Sequence, residues 1–128
     1  MPSAVEPIKS FTDLYAWQEG HKLAIQIYTT TQLFPKEELY SLVNQMRRAA
    51  LSVTSNIAEG FGRQSYKEKI QFYYIAQGSL TELENQLLLA RDIKYLRSTE
   101  FQLLEQQAIV AHRLLIGLIR KSKEILKS

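Results

Sequence analysis

Residues 47–63, Arg-Arg-Ala-Ala-Leu-Ser-Val-Thr-Ser-Asn-Ile-Ala-Glu-Gly-Phe-Gly-Arg, decide the fold. With the residues just before them they place Leu39, Val43, Met46, Ala50, Val53 and Ile57 at alternating four- and three-residue steps. That spacing keeps side chains on one face of an α-helix, so an amphipathic helix is predicted over 38–59, with Gly60 as its stop. Its other side carries a ladder: Arg48, Ser52, Asn56 (or Ser55), Glu59 and Arg63 recur at the same steps. These are short or fork-shaped hydrogen-bonders, which suit a fixed network better than a generic solvated surface.

The same periodicity continues in both directions. Leu14, Trp17, His21, Ala24, Tyr28 and Thr31, widened by Leu23 and Ile27, predict a first helix over 13–32, capped by Thr12 or Asp13 and closed before Phe34-Pro35. Residues 1–11 read as an extended leader. Ser65-Tyr66-Lys67-Glu68 has the form of a capping box and opens a third helix, predicted over 65–95 with Tyr73, Ala76, Leu80, Leu83, Leu87 and Ala90 inward. Ser98 is the expected cap of a fourth, over 98–126, carrying Phe101, Leu104, Ala108, Ala111, Leu115, Leu118 and Ile125. Heptad-phased helices joined by short connections pack nearly antiparallel, so residues 1–128 are predicted to form one all-α domain, an antiparallel up-down-up-down four-helix bundle.

The third and fourth helices are more apolar than one bundle seam requires. Phe72, Tyr74, Ile75, Leu88 and Leu89 on the third lie outside the inward stripe, as do Ile109, Val110, Leu114, Ile116 and Ile119 on the fourth. A second burial surface follows, and self-association is the expectation.

The chain has 128 residues and no cysteine, which removes disulfides, thiolate metal sites and cysteine nucleophiles. No segment has the length of a membrane span or the apolar core of a signal peptide, so a cytoplasmic protein is expected. The net charge of +3 is uneven. Residues 110–128 hold Arg113, Arg120, Lys121, Lys123 and Lys127 against Glu124 alone, whereas the preceding 109 are near neutral. Such a tail either contacts a polyanion such as RNA or simply complements the helix macrodipole.

Catalytic patterns are absent. Neither His21 nor His112 follows a Glu by three residues, as di-iron bundles need, and His21 falls on the inward stripe. Gly60-Phe61-Gly62-Arg63 lacks the length and the Lys-Ser/Thr of a phosphate loop. No enzyme activity, metal or cofactor is expected. The ladder has two readings. In one, Arg48, Ser52, Asn56 and Glu59 are structural: Arg48 and Glu59 reach across to Glu82, Ser79 or Gln86 and fix the register of the second and third helices, with Gly78 allowing close approach. In the other, Arg47, Arg48, Arg63, Lys67 and Lys69 gather around the turn between the second and third helices and engage phosphates.

The runs QMRRAALSVTSNIAEGFGR at 45–63, FYYIAQGSLTELENQL at 72–87 and DLYAWQEGHKLAIQIY at 13–28 resemble the bacterial four-helix bundle family encoded by intervening sequences in 23S ribosomal RNA genes. Gly20 and Thr54 depart from the pattern, the latter standing where a proline is usual. The resemblance implies a homo-oligomer, typically a pentameric ring, and no established catalysis. It also implies kinship with accessory proteins of diversity-generating retroelements, which bind a reverse transcriptase and its template RNA. Two functions stay open: an RNA- or ribonucleoprotein-associated oligomer working through Arg63, Lys67, Lys69, Arg113, Arg120, Lys121, Lys123 and Lys127, or a protein–protein assembly module without nucleic-acid contact.

Overall fold

The computed structural model describes residues 7–128, so part of the predicted leader, 1–6, lies outside the described residues. Four helices form: α1 (Tyr15–Thr31), α2 (Asn44–Gly62), α3 (Tyr66–Asp92) and α4 (Ser98–Lys127). Each packs on its neighbours in sequence, and α4 closes the ring against α1. Cross-helix contacts run in opposite chain directions. Gly20 meets Thr54 while Thr31 meets Arg47; Ser52 meets Ser79 while Gly60 meets Tyr73. The arrangement is the antiparallel bundle that the periodicity predicts.

The core is the inward stripe of each helix. Leu23, Ile27, Met46, Val53, Ile57, Tyr73, Leu80, Leu83, Leu87 and Leu115 are all buried. Each such aliphatic side chain contributes roughly 1.5–3 kcal/mol by leaving water. Four inward assignments shift. His21 is exposed and stacks flat on Trp17, ring centroids 4.6 Å apart, so it is not a core histidine. Tyr28 and Leu39 are exposed as well. On α4 the stripe drifts one step, burying Ile119 and Ser122 in place of Ile125. A straight α-helix drifts against a strict seven-residue repeat, and over 30 residues this decides which side faces inward.

The ends differ from the predicted caps for local hydrogen-bonding reasons. Ser10, not Thr12 or Asp13, caps the chain's entry: it accepts from the Thr12 N–H across a 3₁₀ turn, Phe11–Asp13. The Asp13 carboxylate accepts from the N–H groups of Lys9 and Ser10 at 2.9 and 3.1 Å. Between α1 and α2 the chain is helical without being α: a 3₁₀ turn at Lys36–Glu38 passes into a π-helical turn at Leu39–Val43.

Gly60 does not stop α2, which runs through to Gly62. It is a contact glycine, since a Cβ there would lie 2.7 Å from Tyr73 Cε1. Ser65 does cap α3, accepting from the Glu68 N–H. That helix ends at Asp92, short of Tyr95, in a Schellman closure: Tyr95 N–H reaches Ala90 O at 2.9 Å and Lys94 N–H reaches Arg91 O at 3.1 Å. Lys94 is left-handed there, with φ of 70°. Ser98 is the first residue of α4 and not its cap; the Arg97 N–H is satisfied by the Glu100 carboxylate at 2.9 Å.

Candidate nucleic-acid interface

Antiparallel packing puts the start of α1, the α2–α3 turn and the C-terminal part of α4 at the same end of the bundle. The cations of the turn and of the tail, though far apart in sequence, therefore become neighbours: Lys69, Arg113 and Lys121 line a single groove there. Lys67, Arg113, Arg120, Lys121, Lys123 and Lys127 are exposed, and among the described residues none of them is in an ion pair. That leaves their charge free to act outward.

The remaining nominated residues are more committed. Arg63 donates to Glu59 at 2.8 Å, an exposed pair worth little by itself, and its guanidinium lies 4.6 Å from the centre of the Phe72 ring. Lys69 is half-buried. Its ammonium donates to the Phe61 carbonyl at 2.5 Å and sits over the Phe61 and Tyr66 rings, with desolvation pushing its pKa down. Among the exposed cations, Lys123 lies 5.0 Å from the centre of the Tyr74 ring.

The ladder resolves into a shorter lock. Ser52 and Ser79 share a hydrogen bond of 2.7 Å between α2 and α3, and Asn56 braces it by donating to the Ser52 carbonyl at 2.8 Å and hydroxyl at 3.0 Å. The outer rungs do not join. Arg48 is exposed, Glu59 turns to Arg63 within its own helix, and Glu82 accepts from Gln86 on its own helix at 3.3 Å. Gly78 faces open space, so no close approach occurs there.

The interhelical arginine is Arg47, one residue away. Its Nε donates to the Thr31 hydroxyl at 3.0 Å and its guanidinium covers the Tyr28 ring. A single residue turns the side chain by about 100°, from the exposed position of Arg48 towards α1. Two further polar ties were not legible from spacing. Gln107 donates to the Glu19 carbonyl at 2.9 Å, joining α4 to α1. His112 lies between Glu84, 3.2 Å from its Nδ1, and Gln77, 3.4 Å from its Nε2, joining α4 to α3. The Nδ1–H tautomer satisfies both contacts.

Among the described residues no group of three or more His, Asp or Glu converges as a metal site would require, and no helix is long and apolar enough to cross a membrane.

A family model described as "23S rRNA-intervening sequence protein" matches residues 12–117. The chain belongs to this family. A solved structure of a protein of unknown function, from the S23 ribosomal protein family of Bacteroides thetaiotaomicron, superposes with a TM-score of 0.77 at 22% identity, covering 85% of this chain and 98% of that one. At that identity the likeness speaks for the fold. No curated protein matches. The two departures from the resembled pattern, Gly20 and Thr54, prove to be partners. A Cβ on Gly20 would stand 3.3 Å from Thr54 Cγ2, while the Thr54 hydroxyl returns to the Leu51 carbonyl at 3.1 Å. Gly20 thus makes room for a branched side chain facing it across the α1–α2 seam.

Proposed function

We propose that this protein is a non-enzymatic, cytoplasmic, RNA-associated bundle that meets phosphates with the cations gathered at the α2–α3 turn and the end of α4. The observation that carries the proposal is that Arg113 and Lys121 line one groove with Lys69, while they and Lys67, Arg120, Lys123 and Lys127 are exposed and without ion pairs among the described residues. Cations not paired within the protein can release counterions from a phosphate backbone, which drives non-specific RNA association. Membership of a family described by a ribosomal RNA intervening sequence supports the same direction.

A second reading, self-assembly or adaptor work towards another protein such as a reverse transcriptase, draws on different residues. Tyr74, Ile75, Leu88 and Leu89 of α3 and Ile109, Val110 and Ile116 of α4 are each more than a third exposed. These surplus apolar residues suit burial between copies, as in the ring that the resemblance implies. A ring would also repeat each basic end and multiply weak phosphate contacts.

The deciding experiment is a filter-binding titration against structured RNA at two salt concentrations, roughly 50 and 200 mM. The wild type is expected to lose affinity steeply between them. Changing Arg120, Lys121, Lys123 and Lys127 together to Ala is expected to flatten the salt slope by about one unit for each phosphate left without its cation. No binding at the lower salt would remove the RNA reading and leave assembly as the function.

A further inference from the structure

The basic end is not only a charged surface. Between the Pro7–Asp13 entry, the α2–α3 turn and the last turns of α4 runs a groove of about 720 Å³, within the usual range of small-molecule sites. Its wall is hydrocarbon: Ile8, Leu14, Phe61, Leu114, Leu118 and Ile125 line it. A phosphate backbone has no use for such a wall.

Polar side chains, Tyr15, Gln18, Tyr66 and Ser122 among them, also border the groove, and its charges are mostly of one sign. Lys69, Arg113 and Lys121 supply three cations, and the carboxylate among the lining residues, Asp13, is already occupied by the Lys9 and Ser10 N–H groups. Tyr73 lines the groove while its residue is only 2% exposed. Among the described residues its hydroxyl has no hydrogen-bond partner, and burial, with Tyr66 nearby, pushes its pKa up to about 12, which keeps it a neutral O–H donor. The hydroxyl is not sealed in the core, so it opens on the groove and can donate into it. Lys69 points the same way: desolvation disfavours its charge, and an anion beside it would offset that.

We propose that this groove binds a small amphipathic anion, an aliphatic or aromatic carboxylate whose hydrocarbon lies on the α4 wall. Its carboxylate is held by the groove's cations, with the Tyr73 hydroxyl as a further donor. An amine of the same shape would meet three like charges, and a neutral alcohol would forgo the charge-assisted hydrogen bonds. The inference does not rest on RNA binding: an RNA titration that fails leaves it standing, and the reverse holds.

The test is calorimetric titration of the full chain with decanoate, decanol, acetate and inorganic phosphate. Decanoate is expected to bind once per chain, with decanol weaker by about tenfold or more, since hydrogen bonds to charged groups carry that much. Acetate and phosphate should give no measurable heat at the same concentrations. Two variants locate the site. Ile125 is 40% exposed at the groove wall, so it can be changed without opening the core. Ile125→Asp is expected to weaken decanoate by more than about tenfold, whereas Ile125→Arg, whose stem still covers the wall, keeps or improves it. Lys121→Gln is expected to lower affinity several-fold. No heat with decanoate on folded protein, equal binding of decanol, phosphate competing as well as decanoate, or an Ile125→Asp protein that binds like the wild type would each overturn the proposal.

Discussion

At the end where α3 meets α4, Tyr95 packs on Phe34 with ring centroids 5.3 Å apart and donates to the Glu38 carboxylate at 2.7 Å, and Leu96 is buried beneath. At the other end, Tyr73 has no such partner among the described residues, Lys69 borrows a carbonyl, and three cations face a groove. The first end commits its polar groups to closing the bundle; the second leaves them available. A four-helix bundle needs only one seam and tight turns to fold, so an end with uncommitted donors is the natural place to look for binding.

The largest break in this contrast should come at Gly60. Ala there forces a Cβ to 2.7 Å from a ring that is buried and cannot swing away. The gain of about 1 kcal/mol in helix propensity is outweighed by overpacking, and we expect urea denaturation to show a net loss of about 1–3 kcal/mol. Unchanged stability would mean that Tyr73 is loosely held.

Tyr95→Phe probes the closed end through pH. Hydrogen bonds from Ser41 and Tyr95 hold the Glu38 carboxyl below its usual value of 4.5, and the bond to Glu38 raises Tyr95 above 10.0. A lowered carboxyl stabilises the fold above pH 4.5, and this is lost as pH falls through its folded value. A raised phenol stabilises below pH 10, and this is lost as pH climbs through its folded value. The variant should therefore be less stable at neutral pH, with both the acid and alkaline limbs flattened in melting temperatures measured across pH. An unaltered profile would show that the Tyr95–Glu38 bond does not form in solution.

The smallest effect is a gain. Lys94 occupies the left-handed position of the α3 closure, where glycine carries no steric cost, so Lys94→Gly should stabilise by about 0.5–1 kcal/mol in the same urea assay. A loss would show that the lysine side chain contributes something beyond its backbone.

The four helices were legible because seven-residue periodicity is a property of the chain itself. Their caps were less so: whether Ser10 or Thr12 takes the orphan N–H, or whether Gly60 ends a helix or admits a neighbouring ring, depends on what lies across from it. The ladder shows the boundary clearly. Ser52 and Ser79 were readable as members of one polar network, but not as each other's partners, because the longer Arg48 and Glu59 were the expected reach. Arg47 in place of Arg48 was not, because choosing between them requires knowing which side α1 occupies. The basic residues were readable singly, and their meeting with Leu14, Leu118 and Ile125 around one groove was not, because those residues come from opposite ends of the chain.

The chain contains one tryptophan, and its position gives the molecule a built-in optical reporter. Trp17 sits between Phe11 of the entry turn, centroids 5.4 Å apart, and His21, which stacks on it. Its emission therefore senses whether Pro7–Asp13 is docked, while far-ultraviolet dichroism senses the helices as a whole. If the two signals coincide in urea, the wall of the groove and the bundle melt as one unit. If emission changes first, the groove belongs to a separately opening layer, and ligand uptake has a door.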